Sequence, residues 1–117
     1  DLDWILSNWQ SDGCDLWEEV RSNDFFWNRM SYVYTFKQCE ALFNSLGDSS
    51  YASRCSSTGN SVQATLNGHW TGAFMTESSN RQKDSSVIHA FSSFEAYPIT
   101  DSKVAQTIKV LTQTFCS

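Results

Sequence analysis

Proline occurs once, at Pro98, and glycine only five times in 117 residues, too few breakers for a loop-dominated or low-complexity chain. Lysine and arginine number eight against thirteen aspartates and glutamates, a net charge of −5. Phosphate backbones are bound by clustered cations, and these are scattered, so a nucleic-acid partner is excluded. No apolar run approaches the roughly 20 residues needed to cross a bilayer, and no basic-then-apolar leader opens the chain, so no membrane partner is expected. There is no Gly-x-Ser-x-Gly elbow to present a serine nucleophile and no Asn-x-Ser/Thr acceptor for a glycan. His69 and His89 lack Cys, Asp or a second His at ligand spacing, so both read as core or surface histidines, and no metal or other cofactor is expected.

What is present is the composition of a folded protein, 40% hydrophobic and 18% charged, at a length that suits one domain or part of one. Aromatic residues make up 15%, with five tryptophans, enough both to fill a core and to line a site where flat ligand faces stack. Cysteines stand at 14, 39, 55 and 116. They lack the close pairs of zinc or redox motifs, and an even count in an acidic, serine-rich chain points to disulfides and secretion. Spacing leaves all three pairings open.

The chain divides into five helical segments. Leu2, Ile5, Leu6 and Trp9 fall at helical spacing behind two first-turn acids. That helix starts at the first residue with no room for a cap, and the last residue, Ser117, has no tail, so the chain reads as an internal piece of a longer one. A turn at Ser11-Asp12-Gly13 leads into Cys14–Val20, read as a functional loop running into a helix. Ser22, Asn23 and Asp24 offer caps for a long helix from Phe25 to about Leu46, with Phe26, Met30, Val33, Cys39 or Glu40, Leu42, Phe43 and Leu46 near its inner face and Gly47 as its stop. Asp48 or Ser49 caps a third helix through Tyr51, Cys55, Val62 and Leu66, ended by Trp70 against the core. Thr71–Lys83 reads as a loop with a short extended piece at Gly72–Thr76, and Asp84 starts a short helix to about Phe94. After Tyr97-Pro98, one of Thr100, Asp101 or Ser102 caps a last helix with Val104, Ile108, Leu111 and Phe115 in register. Without an alternating strand of useful length, the fold class is all-α, built of helix hairpins.

The most unusual stretch is Asp15-Leu16-Trp17-Glu18-Glu19-Val20, three carboxylates within five residues beside an indole. Like charges and an apolar wall both disfavour ionisation, so at least one of these groups is expected to hold its proton near neutral pH, as a general acid must. An acidic first turn with Trp17 in the core is the blander alternative. Arg81-Gln82-Lys83-Asp84 reads as a solvated loop and helix start.

The hexapeptide resembles the signature of fungal glucoamylases, family 15 of the glycoside hydrolases. Asp1-Leu2, Trp9 and Gly13 keep that family's spacing to it, Phe25-Phe26 stands where the family has an aromatic pair, and weaker similarity runs through Leu66, Trp70 and Lys83-Asp84 to the last helix. The resemblance implies a helix pair sector of an (α/α)6 barrel and a secreted enzyme that releases glucose from the non-reducing ends of starch or maltooligosaccharides with inversion. It implies Glu18 as general acid, Glu19 as a ligand of substrate hydroxyls, Trp17 as a wall of the sugar site, and Asp15 as the group that tunes Glu18. Glu19 cannot be the base. Adjacent α-carbons lie only about 3.8 Å apart, whereas an inverting pair stands about 6.5–9.5 Å apart across the sugar. The base would come from the remainder of the catalytic domain. A non-catalytic secreted binder of glucan or protein with the same fold is the alternative, and an all-α acidic interaction domain sharing the hexapeptide by chance is a third.

Overall fold

The computed structural model describes residues 1–94 and 96–116. In it α1 spans Leu2–Asn8, α2 Phe26–Ser45, α3 Ser49–Leu66, α4 Ser86–Ser93 and α5 Ser102–Phe115, with a short 3-10 turn at Asn67–His69. The fold is all-α, as expected. Its only paired strands among the described residues are two residues each, β1 Gly13–Cys14 and β2 Arg21–Ser22, antiparallel.

α2 and α3 form the central hairpin, and the sequence shows why they meet so closely. The chain turns out of α2 at Gly47, whose φ of 80° favours a residue without a Cβ. The Asp48 N–H donates to Phe43 O at 2.9 Å and the Gly47 N–H to Asn44 O at 3.2 Å, which satisfies two of the carbonyls a helix end leaves open. Asp48 then accepts the Tyr51 N–H at 3.0 Å and so caps α3. Asp48→Ala is expected to cost about 1 kcal/mol, read as a lower urea midpoint, with Asp48→Ser keeping most of the stability. Farther along, Gly59 lets α3 approach Phe36, since a Cβ there would stand 3.2 Å from the Phe36 Cβ. A disulfide joins Cys39 to Cys55 across the hairpin, which settles the pairing that spacing left open; Cys14 and Cys116 are free and exposed.

Phe26, Met30, Val33 and Phe36 of α2 meet Cys55, Val62 and Leu66 of α3, and Leu6, Met75, Val87, Ala90 and Leu111 complete the core. The helical stripe on α1 is present, with Leu6 buried and Leu2, Ile5 and Trp9 packed against the core. Two stripes differ from expectation. Leu42 and Leu46 are exposed, whereas Phe43 packs on the Tyr51 ring 4.2 Å away at the start of α3. On α5, Thr107 is buried while Ile108 and Phe115 are exposed. The Thr107 hydroxyl accepts the Met75 N–H at 2.9 Å and donates to Lys103 O at 2.7 Å, so this polar residue faces inward fully bonded. The anticipated extended piece survives as a single bridge between Trp70 and Met75.

The caps of the remaining helices are more distant than local sequence implies. Asp101 does cap α5, accepting the Lys103 N–H at 2.8 Å. α2 is not capped by Ser22, Asn23 or Asp24. Glu77 from the 71–83 loop takes that place: its carbonyl accepts the Phe26 N–H at 2.8 Å and its carboxyl the Trp27 N–H at 3.4 Å. Asp24 instead accepts from Ser22 and from the backbone and hydroxyl of Ser79.

Candidate functional site

The hexapeptide forms the tip of the β1–β2 hairpin, not the lead-in to a helix; the next helix starts only at Phe26. Asp15 is the residue that shapes it. Its N–H donates to Val20 O at 3.2 Å, its carbonyl accepts the Glu18 N–H at 3.0 Å, and its Oδ1 accepts the N–H groups of Glu19 at 2.7 Å and Val20 at 3.0 Å. Its Oδ2 accepts from Arg81 Nη1 at 2.7 Å. The backbone reverses through Glu18 at φ 59°, the left-handed region that L-residues seldom occupy.

These contacts set the electrostatics. Asp15 is buried, and burial alone would push its carboxyl up. The backbone donors of Val20 and Glu19 and the Arg81 guanidinium outweigh that and hold it below the ordinary carboxylate range. The expectation that crowding raises a pKa in the hexapeptide therefore fails at Asp15. The cause is specific: a charged oxygen ringed by donors is better solvated than crowding with its neighbours suggests.

Trp17 is not a core residue. It is about half exposed, and its Nε1–H donates to Asp84 Oδ1 at 2.9 Å. Trp17 and Glu19 line an open cleft of about 400 Å³ with Arg81, Lys83, Asp84, Ser85 and Phe115. Glu18 is exposed at the hairpin tip and Asp15 is buried at the root of the turn; neither lines the cleft. The structure thus brings Trp17 and Glu19 into one concavity, with Glu18 between them in sequence but outside its lining.

Two neighbours were not visible in the sequence. Arg81, read there as solvated, is partly buried and lies 2.7 Å from Asp15, 3.5 Å from Glu19 and 3.6 Å from Asp84. Asp84 starts α4 as expected, its Oδ1 accepting the Ser86 N–H at 2.8 Å, and holds the Trp17 indole as well. The other is Glu77, whose carboxyl is fully buried and accepts the Ser86 hydroxyl at 2.6 Å. Burial pushes it up to about 7, against the hydrogen bonds from Ser86 and Trp27, with the Asp84 and Asp15 charges adding to the rise. Glu77 thus carries its raised carboxyl in the neighbouring loop, where it holds two helix starts together.

His69 is a core histidine. Burial lowers it to about 4, so the ring is neutral, donating from Nδ1 to Thr76 O at 2.9 Å and accepting at Nε2 from Arg29 at 2.9 Å. His89 is exposed and accepts the Trp27 indole N–H at 2.9 Å. Among the described residues no three His, Cys, Asp or Glu side chains gather as metal ligands, and no helix is long and apolar enough to cross a membrane.

Hairpin tip, half-exposed indole and flanking carboxylates thus surround one open cleft. The family model for glycosyl hydrolases family 15 matches the chain over residues 1–117, and the chain belongs to that family. The match over the full length removes the reading of a chance hexapeptide in an unrelated acidic domain. Neither the curated proteins nor the solved structures gave a match. Family membership implies a glycan substrate, and together with the Cys39–Cys55 disulfide it fits an extracellular enzyme.

Proposed function

We propose that this chain is a segment of the catalytic domain of an exo-acting glucan 1,4-α-glucosidase, secreted, which releases glucose from the non-reducing ends of starch and maltooligosaccharides with inversion. The observation that carries it is the presentation of Trp17-Glu18-Glu19 on a hydrogen-bonded hairpin tip beside an open cleft, in a chain matched throughout by family 15. Glu18 protonates the departing glycosidic oxygen, Glu19 binds sugar hydroxyls, Trp17 walls the sugar, and Asp15 anchors the tip and tunes Glu18.

The water-activating base comes from outside these 117 residues, on the remainder of a barrel of paired helices of which this chain is one sector. The nearby carboxyls support that division. Asp15 and Glu77 are buried and hydrogen-bonded, Asp84 is occupied by Trp17 and Ser86, and Glu19 adjoins the acid in sequence.

The test is the anomer first released from maltoheptaose by the full-length enzyme, followed by proton NMR. β-Glucose appearing before mutarotation, with no internal cleavage products, is the expected result. First-formed α-glucose, or shorter oligosaccharides from mid-chain cuts, would sink the inverting exo reading. Glucose release by the 117-residue chain alone would remove the claim of an external base.

A further inference from the structure

We propose that Arg81 is a positioning residue for the acid-bearing hairpin: with Asp84 it clamps Asp15, Trp17 and Glu19 to the loop ahead of α4 and so fixes where Glu18 holds its carboxyl. The proposal rests on the reading of Glu18 as the acid and adds to it a residue that no part of the hexapeptide contains.

The geometry gives Arg81 the form of a clamp. It reaches the tip from 66 residues away, with one guanidinium nitrogen on Asp15 at 2.7 Å and the other 3.5 Å from Glu19. A planar fork can address two carboxylates at once, which a lysine ammonium cannot do with the same fixed spacing. The Asp15 side chain is 2% exposed and its other oxygen is filled by two backbone N–H groups. Among the described residues Arg81 is thus its only cationic partner, and without it a buried carboxylate stands unpaired at the root of the turn.

Arg81 is itself held in place. Its N–H donates to the buried Ser78 hydroxyl at 3.0 Å and its carbonyl accepts the Ser78 N–H at 3.0 Å. The adjoining Glu77 N–H donates to Gln82 O at 3.0 Å. Asp84, 3.6 Å from the guanidinium, closes the circuit by accepting the Trp17 indole N–H and the first N–H of α4. Every hexapeptide residue assigned to sugar binding is therefore tied to this turn, while Glu18 is tied only through the backbone of Asp15. Displacing the anchor swings the tip, and a reacting group moved by about 1 Å loses on the order of a hundredfold in rate.

The experiment uses the full-length enzyme with maltoheptaose and measures Arg81→Ala, Arg81→Lys, Asp15→Asn and the Arg81→Ala/Asp15→Asn double variant, with Glu18→Gln alongside. Arg81→Ala is expected to lower kcat about 10–100-fold while KM moves less than about threefold. Because Arg81 acts through Asp15, the double variant should fall no further than about threefold below the poorer single variant. Arg81→Lys should recover part of the loss, since it restores one charge–charge contact without the fork. Folded Arg81→Ala with kcat within about twofold of the parent, or losses that multiply in the double variant, overturns the proposal. If Arg81→Ala does not fold, Arg81→Lys decides: a several-fold drop in kcat supports the clamp, and an unchanged kcat refutes it. An inactive Glu18→Gln enzyme beside a fully active Arg81→Ala enzyme refutes the clamp alone. An active Glu18→Gln enzyme removes the acid reading, and the clamp with it.

Discussion

Glu18→Gln in the full-length enzyme should lower kcat on maltooligosaccharides by about 10²–10⁴, the range that loss of a positioned general acid costs. Glutamine has the shape and hydrogen-bonding reach of glutamate but no proton to give. KM should change little, because the amide still meets the sugar. The unfolding midpoint should also hold, since the exposed Glu18 side chain makes no contact that the fold depends on and the backbone at φ 59° is equally awkward for both residues. The sharpest control is α-glucosyl fluoride, whose leaving group departs without protonation. Its hydrolysis should survive the substitution. Retention of more than a few per cent of turnover on maltoheptaose would end the assignment of Glu18.

The second large effect belongs to Glu77 and is one of stability. Its carboxyl is raised from 4.5 to about 7 in the folded protein. A raised acid binds its proton more tightly folded than unfolded, so its favourable contribution is complete below about pH 4.5 and is lost as pH climbs through 7. A displacement of that size corresponds to about 3 kcal/mol. Asp15 and Asp24 act in the opposite sense. Both are held below the ordinary range despite burial, by backbone and hydroxyl donors and nearby arginines. Their contributions are present above that range and lost as pH falls. His69, lowered to about 4 by burial, acts with them: its neutral ring contributes stability that is lost as pH falls from about 6.5 toward 4, so it largely offsets Glu77 between pH 8 and pH 5. Glu77→Gln keeps an acceptor for the Trp27 N–H and a partner for the Ser86 hydroxyl while removing the buried charge. Urea unfolding at pH 5 and pH 8 should show the variant gaining about 2–3 kcal/mol relative to wild type as pH rises, with the His69 contribution common to both; the same pH dependence in both would exclude Glu77 as a cause.

Helix positions and the family were legible in the sequence because both are written locally. Asp48 and Asp101 cap the helices that follow them, Gly47 ends α2, and the Phe26–Met30–Val33 spacing marks a buried face. The hexapeptide carried the resemblance together with the spacing of Asp1-Leu2, Trp9 and Gly13 and the Phe25-Phe26 pair. What escaped notice depends on residues that meet only after folding. Glu77 caps α2 across 50 residues, and nothing in a polar, irregular stretch distinguishes one such glutamate from a solvated one. Arg81 is the clearer lesson. Three clustered carboxylates, one of them buried, require a counter-charge, and with eight cations in the chain the demand was visible even though the supplier was not. The hairpin was missed for a related reason, since two-residue strands carry no alternation to detect.

The left-handed backbone at Glu18 has an evolutionary reading. A corner with φ near 59° favours glycine or asparagine, and a side chain bearing a Cβ is held there against a penalty of about 1–2 kcal/mol. Random substitution followed by selection for folding alone would drift that corner toward glycine. A glutamate at the least comfortable position of the turn is the outcome expected if, as proposed, Glu18 is the acid and selection for chemistry overrides selection for stability. In related sequences, a glycine at the position of Glu18 would mark a lineage in which the hairpin has been kept and the catalysis given up.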